Sequence, residues 1–200
     1  LQTVEGFDSE SIALLFPFVK VSADVDNAQL SLRELLKNGE NQLFIRYQSV
    51  LEEKKGFSSI TDSALLASPN ARYRGSEPKL YTRYRYKYGR HLSFGFTAEK
   101  DAGEEFFEGS QKQGFDFYSA HLFIRNQGKI KQLAIGDYQA QFGQGLTYWS
   151  GRAFGKSADI MLVKRSAQGL KAYTSVDESR FLRGGGATFK FGKIEATAFL

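Results

Sequence analysis

Residues 79–100 read KLYTRYRYKYGRHLSFGFTAEK, and the alternation in this stretch admits few environments. In a strand, successive side chains point to opposite faces. Leu80, Thr82, Tyr84, Tyr86 and Tyr88 therefore share one face, and Lys79, Tyr81, Arg83, Arg85 and Lys87 share the other. After Gly89-Arg90, Leu92, Phe94, Phe96 and Ala98 alternate with His91, Ser93, Gly95, Thr97 and Glu99. The pattern predicts a hairpin with one aromatic face and one strongly polar face. Three settings accept such a hairpin. A soluble antiparallel sheet wets its polar side. A nucleic-acid platform stacks bases on rings and neutralises phosphate with Arg. A transmembrane barrel turns its rings to lipid and its charges to a wet lumen.

Composition narrows the function classes. The 200 residues include 18 Phe, 10 Tyr and 20 Gly but only 3 Pro, a profile that suits many strands. The longest apolar run, Ile12 to Val19, falls well short of the ~20 residues of a membrane helix. Barrel strands need only about 9–11 residues and remain permitted. There is no cysteine, which removes disulfides, thiolate metal sites and thiol nucleophiles. Two histidines, His91 and His121, are too few for a His-based metal cluster. The net charge of +5 leans weakly toward anionic partners. No residue pattern calls for a cofactor, a metal or catalysis. Residue 1 is a Leu in mid-pattern, so a targeting segment is not observable.

The spacing predicts helices over most of residues 1–40. One starts near Asp8 or Ser9 and ends at Pro17; another covers Ala28–Lys37 before Gly39. From Gln42 the period becomes two. Strands are expected at about 42–52, at 79–99 as the hairpin, and at 115–125, 129–138, 181–191 and 193–200, seven in all. The connections alternate long and short: 54–78, Gly89-Arg90, 100–114, Asn126–Gly128, 139–180, Gly192-Lys193. An up-and-down order then puts every short turn at one end and every long loop at the other, as in outer-membrane barrels. The expected fold is mainly β: an antiparallel up-and-down outer-membrane β-barrel (41–200) preceded by a short α-helical segment (1–40) in the periplasm. Seven is odd and the last strand runs to residue 200, so the expectation is part of a longer barrel.

Two stretches carry a resemblance. VEGFDSESI (4–12) is similar to the second half of a helix-hairpin-helix motif of competence-type DNA-binding proteins. GDYQAQFGQGLTYWSG (136–151), with TSVDESRFLRGG (174–185), resembles the barrel region of helix-hairpin-helix-containing outer-membrane proteins of Bacteroidetes-type bacteria. The likeness implies an outer-membrane location for most of 40–200. The first motif departs from the DNA-binding pattern: Gly6 is present, but Asp8 stands where a second glycine is expected, and no Lys or Arg follows before Lys20. An acidic hairpin repels phosphate. A structural or protein-docking hairpin, with a periplasmic protein partner at 1–40, is preferred to DNA binding through Gly6 and Lys20.

The candidate lumen-lining residues are Arg46, Arg83, Arg85, Lys87, Glu99, His121, Lys190 and Glu195, a set that leans basic and suits an anionic solute. The long segment 139–180 carries Phe142, Tyr148, Trp149, Ile160 and Met161, an apolar load that a solvated loop would not keep exposed. It is expected to fold inward and constrict the passage, with Phe142, Gly143, Gly145, Tyr148, Trp149, Lys164 and Arg165 as its candidate residues. Gly143-Gln144-Gly145 lacks the Lys-Ser/Thr of a phosphate loop and reads as a bend. Asp101, Glu104, Glu105 and Glu108 read as a solvated acidic loop without calcium-loop spacing. The expected function is an outer-membrane protein in contact with lipid that forms or anchors a passage. The alternatives are a DNA-uptake component and a soluble β-sheet binding module.

Overall fold

A computed structural model of the chain describes residues 31–152 and 165–200, together with Asp8, Glu10, Ala13 and Leu14. A short helix, α1 (Leu32–Lys37), precedes strand β1 (Glu40–Gln48). A second helix, α2 (Asp62–Ala67), lies within the first long connection. Then follow β2 (Lys79–Tyr88), β3 (Leu92–Lys100), β4 (Phe117–Gln127), β5 (Ile130–Phe142), β6 (Tyr148–Trp149), β7 (Gly169–Ala172), β8 (Leu182–Phe191) and β9 (Ile194–Phe199). All nine strands belong to one open antiparallel sheet of order β1-β2-β3-β4-β5-β8-β9, with β6 and β7 both paired to the upper part of β5.

Seven strands follow one another as an up-and-down meander, as the sequence predicts. Their short connections are Gly89–His91, Gly128-Lys129 and Gly192-Lys193. The long ones are 49–78, 101–116 and 143–181, and the antiparallel order puts them at the opposite end. Two expectations are corrected. The stretch 54–78 is not only loop, since it contains α2. The strand expected at 129–138 continues to Phe142, because β6 and β7 supply partners for its last residues. The helix expected from Ala28 is described from Leu32, where Ser31 and Glu34 form a reciprocal capping box; residues 28–30 lie outside the described part.

The register fixes the faces. Tyr84 faces Phe96 and Leu43, Tyr86 faces Phe94, and Phe94 faces Leu122 in turn. Leu122 continues to Ile135, and Ile135 to Gly185. One face of the sheet is thus apolar from β1 to β9. On the other face, Arg85 leads through Gly95 and His121 to Gly136 and Gly184. A Cβ at Gly95 would lie 2.2 Å from the Tyr84 carbonyl oxygen, and one at Gly136 2.3 Å from that of Ala120. Glycine in this row permits the close backbone approach, as it does where a sheet bends.

Two clusters hold the described part together, one on each face. Phe123, Ala134, Tyr138, Ala140 and Leu170 pack on the polar side. Leu35, Tyr86 and Leu92 pack on the apolar side.

Candidate functional site

The polar face is the more buried of the two. Thr97, Ser119, Gln132 and Thr188 are buried on it, and His121 is 9% exposed. The apolar face carries Leu43 at 63%, Ile45 at 68%, Ile135 at 49% and Ile194 at 69% exposure. A sheet in water has the reverse arrangement, because each exposed Å² of apolar surface costs about 25 cal/mol.

Part of the cover over the polar face comes from the last long connection. Gln132 accepts a hydrogen bond from the Leu170 N–H (2.9 Å) and donates from Nε2 to the Gln168 carbonyl (2.9 Å). Leu170, fully buried, sits over Gly186, where a Cβ would come within 3.1 Å of Leu170 Cδ1. Gly169, at φ +68°, leaves room for Gln132 Oε1, which a Cβ would approach to 2.6 Å. The start of the connection turns onto the same face. Phe142 stacks on Phe199 at 5.8 Å, and Tyr148 lies 5.4 Å from that ring. Gly143 and Gly145 take φ of +61° and +89°, the left-handed region that the bend requires. The Arg165 guanidinium lies 5.8 Å from the Trp149 ring. The connection thus packs on the polar face of the sheet through Phe142, Tyr148 and residues 168–172. Lys164, with Ile160 and Met161, lies outside the described residues.

The candidate lining residues fall in three bands. Toward the long loops, Arg46 pairs with Glu99 at 3.8 Å and stacks over Tyr81. In the middle, Arg83 lies over Phe44, Arg85 donates to Gln42 Oε1 (3.0 Å), and His121 Nε2 is 3.1 Å from Ser93 Oγ. Toward the short turns, Lys87 stands across from Glu40, and Glu195 is bound through both oxygens by Lys131. Lys190 is exposed at the same end. Arg83, Arg85, Lys87 and Lys190 form no ion pair with a described carboxylate, so the face carries unbalanced positive charge.

Several residues escape sequence reasoning. Asp137, buried at 1% exposure, accepts from Arg183 Nε (2.7 Å) and Nη2 (3.0 Å), and Arg183 also donates to the Tyr118 carbonyl (2.8 Å). This pair lies on the apolar side, which explains why the alternation of β5 looks imperfect. In the last long connection, Asp177 pairs with Arg180 and Arg152. Tyr86 is not open on the apolar face as its phase implies. The α1 helix covers it: its hydroxyl donates to the Leu35 carbonyl (2.7 Å) and accepts from the Gly39 N–H (2.9 Å).

At the long-loop end, Tyr73 packs against Gly103, and Gly75 and Gly103 tie the first two long connections together. Glu104 accepts from the Asp101 N–H (2.7 Å). Burial, reinforced by the neighbouring Asp116, pushes its carboxyl up to about 7. Glu105 instead accepts from Ser110 and is held below the usual carboxylate range. No group of three or more His, Asp or Glu suited to a metal ion occurs among the described residues. Gly6 and Lys20, the candidate DNA contacts, lie outside them. The chain matches no known protein family, no curated protein and no solved structure.

Proposed function

We propose that the chain is part of an outer-membrane β-barrel whose apolar face meets lipid and whose polar face lines a passage preferring anionic solutes. The observation that carries this reading is the inverted polarity of the sheet. Leu43, Ile45, Ile135 and Ile194 are exposed, while Thr97, Ser119, His121 and Gln132 are buried. In hydrocarbon the apolar face loses nothing by its exposure, and only a closed barrel leaves no strand edge unpaired there. The loop asymmetry agrees, with short turns on the periplasmic side and long connections outside. Uncompensated Arg83, Arg85, Lys87 and Lys190 favour anions over cations in the lumen. The long connection that folds over Gln132 narrows the passage.

A quenching experiment tests the lipid assignment. With the native Trp149 replaced by Phe, a single tryptophan is placed at Ile135 or at Ser119 in protein reconstituted with lipids brominated on their acyl chains. Strong quenching at 135 and little at 119 is expected. Equal quenching at both positions, or none at 135, refutes the assignment.

A further inference from the structure

Among the described residues, buried polar side-chain atoms without a hydrogen-bond partner concentrate at the short-turn end. His91 Nδ1, Arg125 Nε and Gln127 Nε2 are three of them. They belong to one place in the fold. The Arg125 N–H donates to the His91 carbonyl (2.8 Å), and Arg125 and Gln127 flank Asn126, whose φ of +53° turns the end of β4. Arg125 stands across from Gln132, on the polar face.

Arg125 is not held as structural arginines usually are. Its guanidinium lies over the Phe123 ring at 4.9 Å, and it forms no ion pair with a described carboxylate. The buried Nε–H of this half-buried arginine therefore meets no acceptor, and a ring contact does not replace one. Arg85 and Lys87, farther along the same face of the neighbouring hairpin, add to the positive field.

We infer that Arg125, His91 and Gln127 form a binding site for an oxyanion, a phosphate or carboxylate group, at the short-turn mouth of the passage. Arg supplies a planar fork that matches such a group, and the imidazole and amide N–H groups add donors from other directions. The inference rests on the polar face being a lumen and names where in it the anion is held. The site is one strand from Gln132, so an anion at Arg125 lies beside the clamp on the inward-folded segment.

Inorganic phosphate is the probe, titrated calorimetrically into the detergent-solubilised chain, with acetate as the second arm. Saturable binding of either anion is expected. Arg125→Gln should weaken it at least tenfold, and Arg125→Lys, which keeps the charge but not the fork, should weaken it less. Lys55→Gln, the same charge change in an outer loop, should leave it unaltered. Circular dichroism confirms that each variant keeps its strand content. Binding of neither anion overturns the site, as does equal weakening by Arg125→Gln and Lys55→Gln. Conductance in planar bilayers separates the two claims: a protein that conducts without binding either anion loses only the site, and one that binds without conducting loses only the passage.

Discussion

Replacing Gln132 by Met removes the clamp on the inward-folded segment while nearly preserving side-chain volume. Gln132 makes two hydrogen bonds of 2.9 Å, one to the Leu170 N–H and one to the Gln168 carbonyl, and is 8% exposed. Met leaves both backbone groups without that partner, at about 1–3 kcal/mol each. Leu170 stays buried against Phe123 and Tyr138 and keeps about 1.5–3 kcal/mol of apolar stabilisation. The segment should therefore stay mostly docked but open far more often. A loss of about 3 kcal/mol raises the open population on the order of 100-fold. Two measurements read this: single-channel conductance in planar bilayers and the rate of proteolytic cleavage within 165–175. Both should rise, and conductance should fluctuate between levels. Faster cleavage with unchanged conductance would show that the segment does not limit passage. No change in either would show that Gln132 does not hold it.

Arg at Ile135 should block assembly, because a charge on the lipid-facing side of a barrel costs up to about 2–4 kcal/mol, whereas Arg83→Gln should assemble normally; heat-modifiable gel migration of outer-membrane fractions reads both, and equal damage refutes the face assignment. Tyr86→Phe should release α1 without unfolding the sheet, since a helix of one to two turns has little stability alone; amide exchange at Leu35–Gly39 should speed up, and unchanged protection refutes the role of the hydroxyl. Glu104, raised to about 7 from 4.5, stabilises the joined outer loops fully below pH 4.5 and loses that contribution as pH rises through about 7. Exchange in 101–116 should therefore accelerate across this range, and Glu104→Gln should flatten the dependence; a dependence that survives the substitution assigns it to another group.

Where a strand has one face in each environment, its sequence states the face directly. Residues 79–100 are legible for this reason, and the register of β2 with β3 follows from matching Tyr84 to Phe96 and Tyr86 to Phe94. The edges of the pattern are less legible. Tyr86 has the phase of a lipid-facing ring, and nothing in its own strand shows that Leu35, 51 positions earlier, lies on top of it. The clamp at Gln132 is equally silent, because an amide in a strand looks the same whether it meets water or the backbone of Leu170. Arg125 continues the phase of Phe117, Ser119, His121 and Phe123, but phase alone does not show that its Nε lacks a partner. Local period reports the environment of a strand, and contacts between distant segments leave no periodic trace.

Asp137 and Arg183 are the one charged pair set into the apolar face among the described residues, and a lipid-facing reading must account for them. Three features do so. The pair is bidentate, and Arg183 Nη2 also donates to the Tyr118 carbonyl, so Asp137 and three of the five Arg183 N–H groups are bonded within the protein. A bidentate pair presents less cost to an apolar medium than either charge alone. Arg183 is the second residue of β8, at the end where the long connections begin, so it lies near the rim of the apolar band rather than at its centre. Tyr118, 44% exposed beside it, has the ring and polar tip of an interfacial residue, with its hydroxyl turned to the Gln113 carbonyl (2.6 Å). On the proposed lipid-facing reading, the exception to the alternation falls at the level where a membrane would stop enforcing it.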